Sequence, residues 1–260
     1  APERTLGPAG GDTAEHTAND TAEQAGSNAV AAGPAAVLWD MDGTLIDSEP
    51  LWMGGEIELM ARHGLEWTHE DALQMVGMAL PDGATVLQRA GLALGNREIV
   101  DTLIAHVLSG LRTAVEWRPG ARELLLELHA AGVPQALVTM SETPLAEALI
   151  DGLPLNPFDA VVTGDKVTRG KPDPEPYALG LELLSAKHGE LDPARSVAIE
   201  DSRPGTASAI AAGLVTVGVP FMQGLPRLAD LNLLTTLEGV DAAALGRIVA
   251  DDAARRSASA

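Results

Sequence analysis

The sequence predicts an α/β fold in which a parallel sheet forms the core and an all-helical segment is inserted into it. From about residue 117 onward, short and continuously apolar runs alternate with longer amphipathic segments. Apolar strands that alternate with helices are typical of a parallel sheet covered on both faces. Residues 49–116, by contrast, contain only helix-like segments, and they follow the first apolar run directly. The insertion therefore leaves the core immediately after the first strand.

The predicted strands and helices follow one another in a regular order. Short apolar runs predict five strands, at residues 35–39, 133–139, 158–164, 196–201 and 214–219. Between them, patterns with a period of about 3.6 residues predict helices at residues 118–132, 143–152, 173–189 and 203–213. In the inserted segment, Gly64, Gly77 and Gly91 stand where helices are expected to end. The strands are all short enough to be fully buried.

The two ends of the chain differ in composition from the rest. Residues 1–34 carry almost no large apolar side chain, which predicts a disordered tail because such a segment cannot bury enough surface to fold. Residues 251–260 predict a flexible C terminus. The core is then expected to comprise residues 35–48 and 117–250, and the inserted helical domain to comprise residues 49–116.

Charge and composition exclude several classes of partner. The formal net charge of −20 argues against nucleic acid and anionic membrane surfaces, although a local site could still bind a small phosphorylated molecule. No run of eighteen apolar residues occurs, so no membrane span is expected. The chain has no cysteine, which excludes a thiol nucleophile and fits a reducing compartment, so we expect a cytoplasmic protein. The sequence makes no prediction about oligomeric state.

Polar residues are concentrated at the predicted strand ends. Because the carboxyl ends of parallel strands meet at one edge of a sheet, these residues are expected to converge. Four carboxylates gathered there would repel one another unless a cation lay among them, and an all-oxygen ligand set suits Mg²⁺. The converging residues are Asp40, Asp42, Thr139, Ser141, Lys171, Glu200 and Asp201.

A phosphate monoester fits this set of groups. Asp40 could attack phosphorus and form an aspartyl-phosphate, which divides one difficult step into two. Lys171 and the Thr139 hydroxyl could hold the phosphoryl oxygens that gain charge. The charges balance if Asp42 carries a proton, so Asp42 is the expected acid for the leaving alkoxide and then the base for water. Asp40 and Asp201 are the expected Mg²⁺ ligands, with Glu200 either a third ligand or a group behind them.

Four segments resemble the motifs of the haloacid dehalogenase-like hydrolase superfamily. They are "DMDGTLIDSE" from Asp40, "ALVT" ending at Thr139, "GKPDPEPY" with Lys171, and "AIEDSRPG" with Glu200 and Asp201, in that order over residues 35–218. The resemblance implies a Rossmann-like core, a helical cap inserted after the first motif, and a Mg²⁺-dependent phosphatase or phosphomutase.

The resemblance also implies roles for individual residues. Asp40 matches the nucleophile, and Asp42 matches the acid/base that also binds Mg²⁺ through its main-chain carbonyl. Asp201 matches the second metal carboxylate, and Glu200 is a possible further ligand. The two remaining matches, Thr139 and Lys171, are phosphate ligands.

The substrate class is narrowed by two departures from a related subgroup. Relatives of the β-phosphoglucomutase type carry a cap His and a cap Arg, which align here with Trp52 and Leu80. The absence of this His and this Arg weakens a mutase interpretation. The opening motif looks more like that of sugar-phosphate phosphatases. We therefore expect a small sugar or polyol phosphate as substrate. A sugar phosphomutase and a non-catalytic metal-binding protein of the same fold remain alternatives.

Overall fold

Six parallel strands form one sheet in the computed structural model, which describes residues 33–259. The strand order is β3-β2-β1-β4-β5-β6, with β1 at the centre, so the predicted parallel α/β class is confirmed. The predicted disordered tail over residues 1–34 lies almost wholly outside the described residues. The strands are β1 Ala36–Trp39, β2 Gln135–Val138, β3 Ala160–Val162, β4 Ser196–Glu200, β5 Val215–Gly218 and β6 Leu231–Leu233.

Helices occupy the segment between β1 and β2 and cover the sheet. We call residues 49–113 the cap; the described chain forms α1 Glu49–Arg62, α2 His69–Leu73, α3 Leu80–Arg89 and α4 Asn96–Thr113 there. The core contributes α5 Ala121–Ala130, α6 Thr143–Asp151, α7 Glu175–His188, α8 Arg203–Ala211 and α9 Ala242–Ser259. No helix within residues 33–259 has both the length and the apolar character needed to cross a membrane.

Both faces of the central strand are buried. Val37 and Trp39 belong to one hydrophobic cluster, which also includes cap residues, whereas Ala36 and Leu38 belong to a second cluster on the opposite face. Side chains alternate between the faces of a strand, so a strand buried on both sides must be apolar throughout. This explains why β1 is a continuous apolar run rather than an alternating one.

The register of the sheet aligns the ends of the three central strands. Trp39 of β1 pairs with Leu137 of β2 and with Ile199 of β4. The next residue, Asp40, donates its backbone N–H to the carbonyl of Ile199 over 3.1 Å. Asp40, Val138 and Glu200 consequently lie level with one another at the carboxyl edge. The convergence that the sequence predicted is a direct result of this register.

The two chain segments that connect core and cap run side by side next to the first strand end. The backbone N–H of Asp47 donates to the carbonyl of Glu116 over 2.8 Å, and that of Arg118 donates to the carbonyl of Leu45 over 2.8 Å. The two connecting segments are thus hydrogen-bonded to each other at the turn that follows β1. The cap therefore enters and leaves the core within a few residues of Asp42.

The structure extends the core beyond the predicted elements at two places. The sheet has a sixth strand at its edge, which is only three residues long and therefore gave too short an apolar run to be recognised. A helix, α9, also follows where no element was predicted, and residues 251–259, for which the sequence predicted a flexible C terminus, form its second half. Asp252 lies in this part of α9, is 1% exposed, and forms ion pairs with Arg255 and Arg256.

A substitution at Asp252 tests whether the end of α9 is packed. Asp252→Asn removes the charge that pairs with two arginines, so we expect it to lower the free energy of unfolding by ~1–3 kcal/mol. The exposed neighbour gives a matched control, since Asp251→Asn should change stability by less than ~0.5 kcal/mol. Urea unfolding measures both. Equal and negligible effects would contradict the packed helix end.

Candidate active site

A tight turn after β1 brings two aspartates toward the sheet edge. Asp40 is 7% exposed, and Met41 between the two acids is fully buried. Gly43 has a φ of +86°, a conformation that residues with a Cβ adopt rarely. A Cβ at this position would also lie 2.2 Å from Oδ2 of Asp201. Glycine is therefore required both for the turn and for the close approach of Asp201.

Lys171 joins two of the acids at this edge. Its Nζ donates to Oδ1 of Asp40 over 2.7 Å, to Oε1 of Glu200 over 2.6 Å, and to the carbonyl of Val138 over 2.9 Å. These three acceptors match the three hydrogens of the ammonium group. Burial opposes the charge on Lys171, but Asp40 and Glu200 outweigh it and raise the Lys171 pKa above its usual value. The lysine is therefore held as a cation.

Glu200 is fully buried and held from both sides. The hydroxyl of Tyr177 donates to its Oε1 over 2.8 Å, and the hydroxyl of Ser202 donates to its Oε2 over 3.0 Å. A Cβ on Gly205 would lie 1.9 Å from this carboxylate, so the glycine in α8 makes the room that Glu200 needs. Both oxygens of Glu200 already accept hydrogen bonds within the protein.

Three carboxylates form a cluster that could hold a cation. Asp40, Glu200 and Asp201 each place one oxygen within 4.8 Å of the others. Burial and then the charge of Glu200 raise the pKa of Asp40 to about 7, although Lys171 acts in the opposite direction. Burial and then the charge of Asp40 raise the pKa of Asp201 to about 9. Such repulsion among buried oxygens fits a site for a hard divalent cation, which would relieve it.

Asp42 points to a different set of partners. Its Oδ1 accepts a hydrogen bond from Ser48 over 2.5 Å, and its Oδ2 accepts from Ser141 over 2.7 Å and from Thr139 over 3.4 Å. Ser48 is the N-cap residue of α1, yet its side chain makes no capping bond. Instead it links the residue that directly precedes the cap to Asp42. The two aspartates thus occupy distinct environments, as different chemical roles would require.

A pocket of about 350 Å³ lies between the cap and the core next to this turn. Asp47 and Glu49, on either side of Ser48, supply two of its acids. Burial, then the charges of Asp42 and Asp47, raise the pKa of Glu49 to about 7. The remaining lining is mostly apolar and comes from both the cap and the core: Pro50, Met53, Gly54, Ile57, His69, Phe221 and Met222.

The structure brings the predicted site residues to one edge, in two neighbouring groups. Lys171 joins the carboxylate cluster, and Thr139 joins Asp42; their predicted roles as phosphate ligands remain predictions. Sequence reasoning missed Tyr177, although it lies within the lysine motif at the start of α7, and it assigned no chemical role to Ser48. The signal for Ser48 was its position next to the predicted start of the cap.

The two residues that depart from the mutase pattern lie in the packed part of the molecule. Trp52 and Leu80 are partly buried and pack against the larger hydrophobic cluster. Neither contributes to the lining of the pocket described above. At these two positions the side chains therefore supply packing surface to the cluster.

Together, fold and site define a class of α/β enzymes that have a helical cap inserted after the first strand, and a carboxylate cluster with a buried lysine at the carboxyl edge of a parallel sheet. The chain belongs to the haloacid dehalogenase-like hydrolase family, whose model matches residues 34–213. The matched region begins just before β1 and includes all four motifs.

Named relatives include phosphatases of sugars and polyols. Hexitol phosphatase A of Escherichia coli is 33% identical over 76% of this chain and 88% of its own length. A phosphorylated carbohydrates phosphatase of Thermotoga maritima is 34% identical over 69% of this chain and 82% of its own. Among solved structures, CbbY from Rhodobacter sphaeroides in complex with phosphate has a TM-score of 0.70 and 28% identity, covering 80% of this chain and 96% of that one.

The carboxylate cluster predicts a pH dependence of stability. Because the pKa values of Asp40 and Asp201 are raised in the folded chain, to about 7 and about 9, the folded state binds more protons than the unfolded state above the usual value of 3.8. Without a divalent cation, the free energy of unfolding should therefore fall between about pH 5 and pH 9. Urea unfolding in EDTA measures this.

Two controls accompany the pH series. Asp201→Asn should flatten the decrease because it removes the group with the more strongly raised pKa. Added Mg²⁺ should stabilise the unsubstituted chain most at the alkaline end, where the carboxylates are ionised. A free energy of unfolding that rises steadily over this range in EDTA would contradict the electrostatics of the cluster.

Proposed function

We propose that this chain is a Mg²⁺-dependent phosphatase that hydrolyses a small sugar or polyol phosphate through an aspartyl-phosphate. The observation that carries the proposal is the contact of Asp40 with Lys171 inside the carboxylate cluster, at the carboxyl edge of the sheet. The named relatives support the substrate class, since they are phosphatases of hexitols and phosphorylated carbohydrates.

The donor set fits the metal that the family generally uses. The carboxylates of Asp40 and Asp201 and the main-chain carbonyl of Asp42 would hold Mg²⁺. When bound, the ion offsets the charge between an anionic nucleophile and the phosphoryl oxygens. Glu200 is less suited than Asp40 or Asp201 to be a direct ligand. Its oxygens already accept hydrogen bonds from Lys171, Tyr177 and Ser202. Its role in this proposal is to hold Lys171 beside the nucleophile.

In the first step, Asp40 attacks phosphorus. A bond forms between its carboxylate oxygen and phosphorus while the bond to the leaving-group oxygen breaks. Asp42 gives its proton to that oxygen, so the product leaves as a neutral alcohol. Lys171, positioned 2.7 Å from Asp40, supplies positive charge where the phosphoryl group arrives. The hydroxyl of Thr139 is close enough to Asp42 to hold a phosphoryl oxygen beside it.

In the second step, water releases the phosphoryl group. Asp42, now a carboxylate, takes a proton from water while the water oxygen attacks phosphorus and the bond to Asp40 breaks. Inorganic phosphate leaves, and both aspartates return to their starting states. The hydroxyls of Ser48 and Ser141 fix the direction of the Asp42 carboxylate for both transfers.

The alternatives have less support. A phosphomutase must hold a phosphosugar while it reorients, and the positions of the expected cap His and Arg are taken by packed Trp52 and Leu80. A non-catalytic metal-binding protein would not need a contact between Lys171 and Asp40. The substrate is proposed to be a small phosphate ester rather than nucleic acid or membrane, and a cytoplasmic location stays a prediction from the absence of cysteine.

Replacement of the two aspartates should separate the two steps. With p-nitrophenyl phosphate, whose leaving group needs no proton, Asp42→Asn should still form the aspartyl-phosphate but hydrolyse it slowly. We expect a burst of p-nitrophenol of about one equivalent per chain, followed by turnover reduced roughly 10²–10⁴-fold. Asp40→Asn should give neither burst nor turnover. Stopped-flow absorbance in Mg²⁺ measures both.

The outcomes of this experiment are sharply distinct. Full steady-state activity in Asp40→Asn would overturn the assigned nucleophile, and a burst in that variant would do the same. Chelation by EDTA should abolish both phases in the unsubstituted chain. Isomer formation from a hexose 1-phosphate without release of phosphate would support the mutase instead.

A substrate panel tests the charge of the leaving group. The described lining of the pocket contains two acids, Asp47 and Glu49, and neither lysine nor arginine, so a second phosphate would meet repulsion there. We expect kcat/KM for a hexitol 6-phosphate to exceed that for a hexose bisphosphate by about tenfold or more. A phosphate-release assay measures both substrates. A preference for bisphosphates would contradict this interpretation of the pocket.

A further inference from the structure

A core loop reaches from the sheet to the cap. Residues 219–224 follow β5 directly, and we call them the β5 loop. The side-chain amide of Gln223 donates to the carbonyl of Val76 in the cap over 3.1 Å. At the end of the loop, the guanidinium of Arg203 donates to the carbonyl of Gly224 over 3.1 Å. The loop is therefore attached to the cap and to the start of α8.

Phe221 of this loop is in contact with a core side chain. The guanidinium carbon of Arg118 lies 3.6 Å from the centre of its ring, well within the range of a cation–π contact. The backbone N–H of Arg118 is in turn bonded to the carbonyl of Leu45, in the turn that carries Asp42. The position of the Phe221 ring is thus tied to the catalytic turn by two consecutive contacts.

The same ring lines the pocket beside Asp42. Phe221 and the adjacent Met222 belong to the part of the lining that the core contributes, and Met53 and Ile57 of α1 belong to the part that the cap contributes. The chain has only two phenylalanines, and the other, Phe158, is 7% exposed within the hydrophobic cluster. An aromatic ring that lines a pocket next to the turn carrying Asp42 is suited to bind the C–H face of a carbon skeleton. The acids of the same lining, Asp47 and Glu49, can bind its hydroxyls.

We propose that Phe221, held by Arg118, determines which leaving groups fit, selecting an uncharged polyhydroxylated carbon chain or ring over a very small leaving group. This inference rests on the proposed function and assigns part of its specificity to the core rather than to the cap. Arg118 acts as a positioning residue, because it touches Phe221 and not the pocket itself. Phe221 contributes to substrate binding without taking part in either chemical step.

Substitutions of Phe221 test the proposal with two substrates. For hexitol 6-phosphate, Phe221→Ala should raise KM about tenfold, whereas Phe221→Tyr, which keeps the ring, should stay within about twofold of the unsubstituted chain. For acetyl phosphate, which has a two-carbon leaving group, both variants should remain within about twofold. The value of kcat should change little for either substrate. Leu228→Ala, at a half-exposed position beyond the loop, is the matched control.

The role of Arg118 is tested by a double-substitution cycle. Arg118→Gln should raise KM for hexitol 6-phosphate in the same direction as Phe221→Ala. In the double variant, the increase in KM should be smaller than the product of the two single increases, because both substitutions act on one ring. Independent, multiplicative effects would show that Arg118 does not act through Phe221.

The outcomes separate this inference from the proposed function. An equal loss on both substrates in Phe221→Ala, or no loss on hexitol 6-phosphate, would overturn the specificity role. If the unsubstituted chain hydrolyses no phosphate ester, the proposed function fails. Calorimetric binding of hexitol 6-phosphate in Mg²⁺ to Asp40→Asn chains then decides the pocket claim. Weaker binding with Phe221→Ala but not with Phe221→Tyr supports it, and equal or absent binding in all of them overturns it.

Discussion

The site depends on the ion pairs that the buried ammonium group of Lys171 forms with Asp40 and Glu200. The ammonium group lies between these two acids, each less than 3 Å away, and is itself almost inaccessible to solvent. A buried cation is costly unless it is paired and hydrogen-bonded, and here all three of its hydrogens have acceptors. Equally, the carboxylates could not approach one another so closely without positive charge among them. The lysine and the acids therefore stabilise each other.

The sheet provides the geometry that this cluster needs. Asp40 directly follows β1 and Glu200 ends the neighbouring parallel strand β4, while Lys171 reaches them from the loop that follows β3. Because Gly43 and Gly205 have no side chain, they leave space for Asp201 and Glu200 respectively. The second aspartate of the turn contacts hydroxyls from the β2 end and from Ser48, which directly precedes the cap. The fold thus separates a charged, cation-binding half of the site from a hydrogen-bonding half that also touches the cap.

Much of this arrangement could be predicted from the sequence, because strand ends in a parallel sheet converge. That reasoning predicts that Asp40 and Lys171 lie beside Glu200 and Asp201. It could not find the hydrogen bond from Ser48 to Asp42, since this depends on how the cap chain leaves the core. It also missed β6 and the helical C-terminal residues, because a three-residue edge strand and a small-residue helix carry weak patterns. The pocket wall at Phe221 depends on a loop whose path has no sequence signature.

The most direct test of the account is to locate the phosphoryl group during turnover. The chain is mixed with hexitol 6-phosphate and Mg²⁺, quenched in acid within milliseconds, and digested for mass spectrometry. The account predicts a phosphorylated peptide whose modified residue is Asp40, formed and lost at rates that match phosphate release. Release of phosphate with no modified peptide, or with the phosphoryl group on another side chain, would contradict it.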